Sequence, residues 1–514
     1  MTNNYEFKPR ITLLSHTRSG CNCRALYDNI PAYISKKYDV QLLMSEFYSE
    51  APEDIVDSEI VVTTHRDYFP RKHQFNIELW HGFGPKTLGA MEVPLKSIRN
   101  SREYLYSHFK HLDVFASYSP FCSAMQNAGF HASGEVYQVT GMPRNDMLFT
   151  TNGRENLQRV FDENFYDKKI VFYMPTWRDQ YVNLEKSDGS RAWNNIFDLV
   201  DFDLPDFGDF LVKNNLVVIV KLHPFEESLV IDKISSFESK NIYFLTNSLL
   251  EASDIQLYEL LNAGDLLVTD YSSVYMDFLL LDKPVMFIPS DLKKYEETRG
   301  FWLTPYEFWA PGPKVRTQVE FETELNKSLY DKNYYKQQRE YVKSIVHHYQ
   351  DNQSSSRVWN VIDDLWNGRL KKSNHTPYSI DGDVLIIRDT IKSQIYDMLN
   401  KGYLNEAEVA ITQYEQDASD DQDIFTLKAT LSFLKEDINQ AIVLLREAFV
   451  LNPLNNDNLF NLGFMYKVAG DISKSTYYFS EFIQKATNED KYGELFAHAI
   501  KHLEENRAFS NSGL

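Results

Sequence analysis

One stretch of the chain, DLLVTDYSSVYMDFLLLDKPVMFIP, places small hydroxyl side chains between two apolar runs. Leu266–Val268 predicts a buried strand and Val274–Leu281 predicts a helix, so Ser272 and Ser273 fall in the loop between them. Backbone N–H groups at a helix N-terminus and serine hydroxyls suit an anion such as phosphate. The acid Asp270 needs a different role, such as capping the helix or orienting a base or hydroxyl. The loop predicts a phosphate site, and a capped strand–helix junction without a ligand fits it equally well.

Two histidines also follow predicted buried strands. His81 comes directly after Ile77–Trp80, and His223 comes shortly after Val217–Lys221. An imidazole titrates close to neutral pH, which suits proton abstraction from a hydroxyl. Either histidine could instead be structural. The pair could also belong to a zinc site, but no third ligand stands at metal spacing, so we predict no protein-bound metal.

Several further segments occur in a characteristic order along the chain. With TDYSS and the LDKP that follows it, they are NIELWHGFGPKTLG (76–89), GMPRNDML (141–148), VFYMPTWRD (171–179), VIVKLHP (218–224) and KYEETRGF (294–301). Single motifs such as HG or HP are uninformative, but the ordered set is specific. Together these segments resemble the CDP-glycerol glycerophosphotransferase family, which builds teichoic acids and related poly(alditol phosphate) capsule polymers. The resemblance extends over roughly the first 365 residues.

The resemblance implies transfer of an alditol phosphate from a CDP-alditol to a hydroxyl on a growing polymer, with release of CMP. This chemistry needs a base for the hydroxyl and donors for two phosphates. In the related enzymes the histidine that matches His81 is the general base. His223, from the opposite side of the cleft, would donate a hydrogen bond to the pyrophosphate or the leaving phosphate. The predicted substrate-binding residues are Lys86, Arg144, Arg178, Asp270, Ser272, Ser273, Arg299 and Gly312.

Two arginines, in GMPRND and PTWRD, are candidate fixed cations because a guanidinium group binds phosphate oxygens in pairs. Arg144 could instead pair with Asp146, and we favour a structural or shared role for it. Arg178 could pair with Asp179, but we favour ligand binding. Gly312 lies in a Pro-Gly-Pro turn that resembles the family's turn beside the diphosphate, whose backbone could help to bind it.

The chain departs from the family's pattern beside the proposed base. Relatives often read HGTP where this chain reads HGFG. We expect Phe83, in place of a threonine, to change the floor beside the base, which leaves the acceptor and the alditol open. In a second segment, Gly20 and Asn22 could line the acceptor side or cap a helix that begins near Arg24.

The alternation of apolar runs with helical stretches predicts parallel sheets covered by helices. We predict two Rossmann-like domains that face a cleft, which is the GT-B architecture that the resemblance also implies. Residues 1–160 would form the acceptor-side domain, and residues 161–370 the CDP-alditol-binding domain, whose last helix (354–365) crosses back onto the first. The predicted strands are Ile11–Leu14, Ile60–Thr63, Ile77–Trp80, Val114–Ser117, Val136–Val139, Ile170–Tyr173, Val217–Lys221, Ile242–Leu245, Leu266–Val268 and Val285–Ile288.

The remainder of the chain has a different organisation. Residues 371–382 are polar with Pro and Gly and predict a linker, and residues 383–514 predict an all-helical domain. The 34-residue period resembles a tetratricopeptide array, which could bind a partner or mediate self-association; a plain helical cap is the alternative. Two sets of residues recur at that period: Gly402, Glu436 and Gly470, and Ala407, Ala441 and Ser475.

The composition limits the partners and the compartment. A net charge of −20 over 514 residues disfavours nucleic acid. Membrane contact would need a local surface such as Lys96–His111, for which a solvated helix face is the alternative. Three cysteines and the lack of a signal-peptide pattern favour a protein of the cytoplasm, free or peripheral at the inner face of the cell membrane.

We therefore predict a CDP-glycerol glycerophosphotransferase that acts on a polymer, saccharide or lipid-linked acceptor. The alternatives are a CDP-ribitol ribitolphosphotransferase, a GT-B enzyme that uses a nucleotide sugar, and a non-catalytic scaffold whose tail is the active part. We expect no required cofactor, although Mg²⁺ could accompany the pyrophosphate.

Overall fold

The computed structural model describes residues 8–44, 55, 57–66, 68, 70, 73–92, 105, 108–177, 195–235, 239–371, 382–418, 421–451, 455–486 and 492–511. The chain forms two compact units. The larger comprises residues 1–45 and 59–375, and the smaller comprises residues 46–58 and 376–514.

The first sheet of the larger unit has six parallel strands in the order β2-β1-β3-β4-β5-β6. The strands are β1 (Arg10–Ser15), β2 (Asp39–Met44), β3 (Ile60–Thr63), β4 (Phe75–Glu78), β5 (Val114–Ser117) and β6 (Tyr137–Val139). The strand order reverses direction between β1 and β3. Open parallel sheets bind ligands outside the carboxyl ends of their strands at such a switch point.

The second sheet has five parallel strands in the order β11-β10-β7-β8-β9. The strands are β7 (Lys169–Tyr173), β8 (Leu216–Val220), β9 (Ile242–Phe244), β10 (Leu266–Thr269) and β11 (Val285–Phe287). Its switch point lies between β7 and β10, so the loops that follow these two strands are the expected ligand-binding loops of this half.

Helices and short 3₁₀ turns connect the strands and pack against them. The α-helices are α1 (Asn22–Asp28), α2 (Ala32–Lys37), α3 (Pro120–Phe130), α4 (Met147–Thr150), α5 (Gly153–Phe161), α6 (Leu204–Lys213), α7 (Pro224–Ser235), α8 (Asn247–Ser253), α9 (Val274–Phe278), α10 (Leu292–Thr298), α11 (Tyr306–Trp309), α12 (Gln318–Tyr330), α13 (Lys336–Val346) and α14 (Ser354–Trp366). The 3₁₀ turns are Gly89–Met91, Gly134–Val136, Pro143–Asp146, Leu257–Glu259, Leu261–Ala263 and Leu279–Leu281.

The predicted α/β class with two parallel sheets is confirmed. All ten predicted strands are present, with bounds shifted by at most two residues. The sequence analysis missed β2, because this edge strand is only partly buried and lacks a continuous core pattern. The helix predicted to begin near Arg24 is α1, and a second helix, α2, follows it because Pro31 adopts an extended conformation between them. The domain bounds near residues 160 and 370 stay predictions.

The last helix of the larger unit, α14, packs against the first half. The indole Nε1 of Trp359 donates to the carbonyl oxygen of Leu26 at 3.2 Å. At the start of the helix, the carboxylate of Asp146 accepts hydrogen bonds from the N–H groups of Ser354 and Ser355 at 2.9 and 2.8 Å. Asp146 thereby satisfies two of the backbone donors that a helix N-terminus leaves open.

The smaller unit is helical, and its turns repeat. The residues at the three 34-spaced positions Gly402, Glu436 and Gly470 all have positive φ (78°, 64° and 81°). Each is followed by an N–H that bonds the carbonyl five residues earlier, as in 403→398, 437→432 and 471→466. The period is therefore a structural repeat, whereas the tetratricopeptide assignment and any partner stay predictions. The helices are α15 (Gly382–Asn400), α16 (Leu404–Asp417), α17 (Asp423–Leu434), α18 (Ile438–Leu451), α19 (Asn456–Val468), α20 (Ile472–Lys485) and α21 (Gly493–Asn511).

A helix that crosses a membrane needs about 20 mostly apolar residues. In the part of the chain that the structure describes, no helix is both long and apolar enough to cross a bilayer.

Candidate functional site

His81 stands just beyond the carboxyl end of β4, near the switch point of the first sheet. The chain turns sharply here, because Trp80 and Gly82 both have positive φ (56° and 143°). The Trp80 N–H donates to the buried carboxylate of Glu78 at 2.9 Å, and its carbonyl accepts from the side-chain amide of Asn22 at 2.8 Å. Two buried side chains therefore hold the turn, while His81 itself is partly exposed.

Thr64, which follows β3, orients the imidazole of His81. Nδ1 of His81 lies 3.3 Å from the Thr64 carbonyl oxygen. Since a carbonyl oxygen only accepts, Nδ1 carries the proton and Nε2 is the unprotonated nitrogen. The neutral ring thus presents Nε2 as the atom that can take a proton.

The electrostatic surroundings keep His81 neutral. Burial, followed by the positive charge of Arg144, lowers its pKa to about 3, with smaller contributions from Lys86 and Arg66. The bond to Thr64 opposes this lowering. An anionic ligand among these cations would raise the pKa again, so His81 would become a stronger base once substrate is bound.

The second sheet contributes the loops after β7 and β10. Oδ1 of the buried Asp270 accepts from the N–H and the hydroxyl of Thr176 at 2.7 and 2.6 Å. It also accepts from the Tyr271 N–H at 2.6 Å. Asp270 therefore ties together the two loops of the switch point and orients a hydroxyl, that of Thr176.

The serine loop touches the His81 loop. A Cβ added at Gly82 would lie 3.1 Å from Oγ of Ser273, and one added at Gly84 would lie 2.9 Å from its Cβ. Only glycine leaves room for this approach. Ser272 and Ser273 are partly exposed, and their hydroxyls bond to no other residue that the structure describes. Loops from the two halves thus meet where the sequence predicts both the base and the phosphate donors.

His223 lies after β8, in the second half. Loss of solvent, with the charges of Lys86, Lys221 and His16, lowers its pKa to about 4. Because its side chain is exposed, water moderates the first of these effects. Lys86 lowers the pKa of both His223 and His81, so one ammonium group acts on histidines from opposite halves.

Arg144 forms an ion pair between the two halves of the larger unit. Its Nη2 donates to Oδ2 of Asp277 at 2.7 Å, and both side chains are buried. Its guanidinium group also lies over the ring of Tyr258, 4.6 Å from the centroid. The suggested pairing with Asp146 is wrong, because that carboxylate binds the start of α14. Arg144 has a structural role, and its contribution to substrate binding stays a prediction.

The segment after α10 braces the His81 loop. Arg299 pairs with Glu92 at 3.5 Å, and the indole of Trp302 donates to the carbonyl of Gly84 at 2.6 Å. Phe83 is buried in the same region, with its ring 5.6 Å from that of Trp302. The side chain of Phe83 points into the core, and its effect on the floor beside the base stays a prediction.

Two further glycines and one asparagine have structural explanations. Gly312 packs so closely on β11 that an added Cβ would lie 1.8 Å from the carbonyl oxygen of Val285. Gly20 has a positive φ of 75°, which favours glycine, and its carbonyl accepts from Nη1 of Arg144 at 3.2 Å. Asn22 is fully buried at the start of α1. These contacts account for the residue types, and binding of the diphosphate by Gly312 stays a prediction.

Some predicted features fall outside the described residues. They are Arg178 with its neighbour Asp179, and most of the basic segment 96–111. Within the described ranges, no three His, Cys, Asp or Glu side chains are grouped so as to hold a metal ion. The use of Mg²⁺ stays a prediction.

The chain is similar to a known protein family over most of its larger unit. Residues 43–364, more than half of the chain, match the family described as CDP-glycerol:poly(glycerophosphate) glycerophosphotransferase. The chain belongs to this family. The resemblance predicted from the ordered motifs is confirmed.

Named relatives of this glycerophosphotransferase act in teichoic acid synthesis. The teichoic acid glycerol-phosphate transferase of Staphylococcus aureus is 29% identical over 294 residues, which are 56% of this chain and 70% of that protein. The teichoic acid glycerol-phosphate primase of Bacillus subtilis is 26% identical over 378 residues, 70% of this chain and 86% of that protein. The solved structure of the wall teichoic acid polymerase TagF superposes with a TM-score of 0.54 at 19% identity, covering 71% of this chain and 90% of that one. This likeness shows the fold, and the GT-B-like prediction is confirmed.

Sequence reasoning about the glycerophosphotransferase missed several residues that lie near its predicted base, His81. Thr64 and His65 follow β3, which adjoins β4, and His16 follows β1, the next strand beyond β3. The signal was present, because His16 and His65 each come within two residues of a strand end. Asp277 was also missed, although a lone acid within the apolar run YMDFLLL predicts a buried ion pair.

The low pKa of His81 leads to a test of pH dependence. A lowered pKa keeps the imidazole in its basic form as the pH falls through 6.5, and the basic form is lost only as the pH approaches the pKa of about 3. We therefore expect kcat/KM for the donor, which reports the free enzyme, to show no His81 limb between about pH 8 and 5. CMP release at low donor concentration across this range measures it. An acidic limb with a pKa near 6.5 that His81→Asn removes would contradict the expectation.

Proposed function

We propose that this chain transfers glycerol phosphate from CDP-glycerol to a hydroxyl of a poly(alditol phosphate), saccharide or lipid-linked acceptor and releases CMP. The product would be a teichoic acid or a capsule polymer. One observation carries the proposal: the loop that presents Nε2 of His81 touches the Ser272–Ser273 loop of the other half. Family membership and the named relatives support the choice of donor and polymer.

In the proposed step, the acceptor oxygen attacks the phosphorus atom that carries the glycerol. A new P–O bond forms, and the bond from this phosphorus to the bridging oxygen of the diphosphate breaks. Nε2 of His81 takes the proton of the attacking hydroxyl, and the electron pair of the broken bond stays on the phosphate of CMP. The imidazolium that forms then returns its proton to solvent.

The cleft offers neutral and charged donors for the diphosphate. Ser272 and Ser273 present hydroxyls, Lys86 presents a positive charge, and neutral His223 can donate one ring N–H to the leaving phosphate. Lys86 could bind phosphate between the two halves, because its positive charge lowers the pKa of both His81 and His223.

The cytidine would lie against the loops after β7 and β8, where Pro175–Trp177 and Lys221–Pro224 can offer backbone groups. The side chain of Lys221 is occupied, since its Nζ pairs with buried Glu227 at 2.8 Å. The first loop is held by the bond between Asp270 and Thr176. A rigid loop can discriminate a base by backbone hydrogen bonds with little ordering cost on binding.

The test is CMP release with a short poly(glycerol phosphate) acceptor and, in parallel, CDP-glycerol, CDP-ribitol or a UDP-sugar as donor. We expect turnover with CDP-glycerol. Turnover with CDP-ribitol alone would keep the reaction class and change the alditol. Turnover with the UDP-sugar alone, seen as UDP release, would replace the proposal by glycosyl transfer.

We further propose that the enzyme works without a protein-bound metal and meets its acceptor as a peripheral protein at the inner face of the cell membrane. Full activity in excess EDTA would support the first point. If Mg²⁺ restores activity lost in EDTA, and does so at concentrations that saturate CDP-glycerol, the ion acts on the pyrophosphate. Co-sedimentation with vesicles that carry a lipid-linked acceptor tests the second point.

Truncation after Lys371 should leave the donor chemistry intact. Among the described residues, the buried core of the larger unit is formed by residues up to 365. We expect kcat for CMP release with a short soluble acceptor to stay within about threefold of the full chain. A folded truncated protein without activity would favour the alternative in which the tail is the working part.

A further inference from the structure

Three imidazoles are stacked along the carboxyl edge of the first sheet. His16, His65 and His81 follow β1, β3 and β4, which are neighbours in the sheet. The ring centroids of His16 and His65 are 4.1 Å apart, and those of His65 and His81 are 4.3 Å apart. The second pair is nearly parallel, with 11° between the ring planes. The strand register thus places a second imidazole against the face of the proposed base.

One residue anchors both rings of the second pair. The carbonyl oxygen of Thr64 accepts from Nδ1 of His81, and the Thr64 hydroxyl bonds Nδ1 of His65 at 2.8 Å. Because both Nδ1 atoms are held by the same residue and the rings are parallel, the two imidazoles share one orientation. Trp80 also contacts the ring of His81, with centroids 4.3 Å apart.

We propose that His65 is a positioning residue for His81. Its ring covers one face of the base and keeps Nδ1 of His81 on the Thr64 carbonyl, so that Nε2 remains the basic nitrogen. This inference rests on the proposed function of His81, but it concerns a residue that does not itself touch the reacting atoms.

The imidazole of His81 needs more than its bond to Thr64 to stay in place. The one hydrogen bond between Nδ1 of His81 and the Thr64 carbonyl oxygen is long, at 3.3 Å, and would by itself allow the ring to turn. A ring that tilts out of its plane would lose the bond to Thr64 and turn Nε2 away from the acceptor. Holding a catalytic group in its reactive orientation is a large part of enzymatic rate enhancement, and small misplacements cost up to about 100-fold. A stacked ring supplies that restraint by covering one face of the base.

Two substitutions separate stacking from hydrogen bonding. His65→Ala removes the ring, whereas His65→Phe keeps a flat ring and removes both nitrogens. We expect His65→Ala to lower kcat for CMP release about 10–100-fold while KM for CDP-glycerol stays within about threefold. His65→Phe should retain kcat within about fivefold. His131→Ala, which removes an exposed imidazole at the end of α3, is the matched control and should behave as the wild type.

A second readout does not depend on turnover. In the full-length protein labelled with ¹⁵N-histidine, the ring nitrogens report which one carries the proton, and His81→Gln identifies the signal. Wild type and His65→Phe should show His81 protonated at Nδ1, and His65→Ala should show a mixture of the two tautomers. Loss of the proposed function would appear as a wild type that releases no CMP, with the tautomer pattern still measurable.

Three results would overturn the inference. The first is a His81 tautomer that does not change in His65→Ala. The second is a His65→Phe protein as slow as His65→Ala, since the nitrogens of His65 would then matter more than its ring. The third is a rise in KM for CDP-glycerol with unchanged kcat, which would make His65 a donor-binding residue.

Discussion

Replacement of His81 by alanine should slow CMP release from CDP-glycerol by about 10²–10⁴-fold, the usual contribution of a general base. The loss should appear in kcat, because His81 acts on the attacking hydroxyl and not on the nucleotide. KM for the donor should change little. The expectation follows from the hydrogen bond between Nδ1 of His81 and the Thr64 carbonyl, which leaves Nε2 as the nitrogen that can accept a proton.

Initial rates of CMP release at saturating acceptor, with donor concentration varied, measure this effect. His348→Ala is the control, because His348 is an exposed histidine of the same unit. Thermal unfolding followed by tryptophan fluorescence shows that the variants are folded. A folded His81→Ala protein that keeps more than about one-tenth of the wild-type kcat would assign the base to another group.

Much of the site could be predicted from local patterns. An apolar run followed by a polar loop marks the carboxyl end of a parallel strand, and this was enough to place His81, His223 and the serine loop at the carboxyl ends of strands. The contacts between those loops could not be predicted. That Ser273 lies against Gly82 and Gly84 depends on how two separately folded sheets pack, which no local pattern records.

Side-chain partners were the weakest part of the sequence analysis. An ion pair between Arg144 and the nearby Asp146 was suggested, but side chains of residues that adjoin in a turn usually point in different directions. The actual partner, Asp277, is 133 positions away. Phe83 was expected to change the floor beside the base, but its packing partner Trp302, which lies 219 positions later, could not be predicted. Which side chains contact each other depends on how the whole chain folds, and the sequence around each residue does not record it.

Replacement of Asp277 by alanine should destabilise the larger unit by about 3–5 kcal/mol, because it leaves the buried guanidinium of Arg144 without its counter-ion. Asp277 is fully buried and accepts three hydrogen bonds, at 2.7 Å from Arg144, 2.6 Å from Tyr258 and 2.9 Å from Asn145. Although burial raises the pKa of Asp277, the charge of Arg144 and these bonds bring it below its ordinary value. Its stabilising effect is therefore present at neutral pH and is lost only as the pH falls through that lowered pKa.

Urea unfolding followed by tryptophan fluorescence measures this change in the larger unit alone, since all seven tryptophans precede residue 372. The matched control is Asp209→Ala, which removes the partner of Lys240 from an ion pair whose side chains are about 70% exposed. That change should cost less than about 1 kcal/mol, because water replaces the partner. If Asp277→Ala were equally mild, the guanidinium would have to find water or another acceptor, and the ion pair would not be what holds the halves together. A large loss would instead show that this buried pair, which joins the two halves of the unit, contributes strongly to its stability.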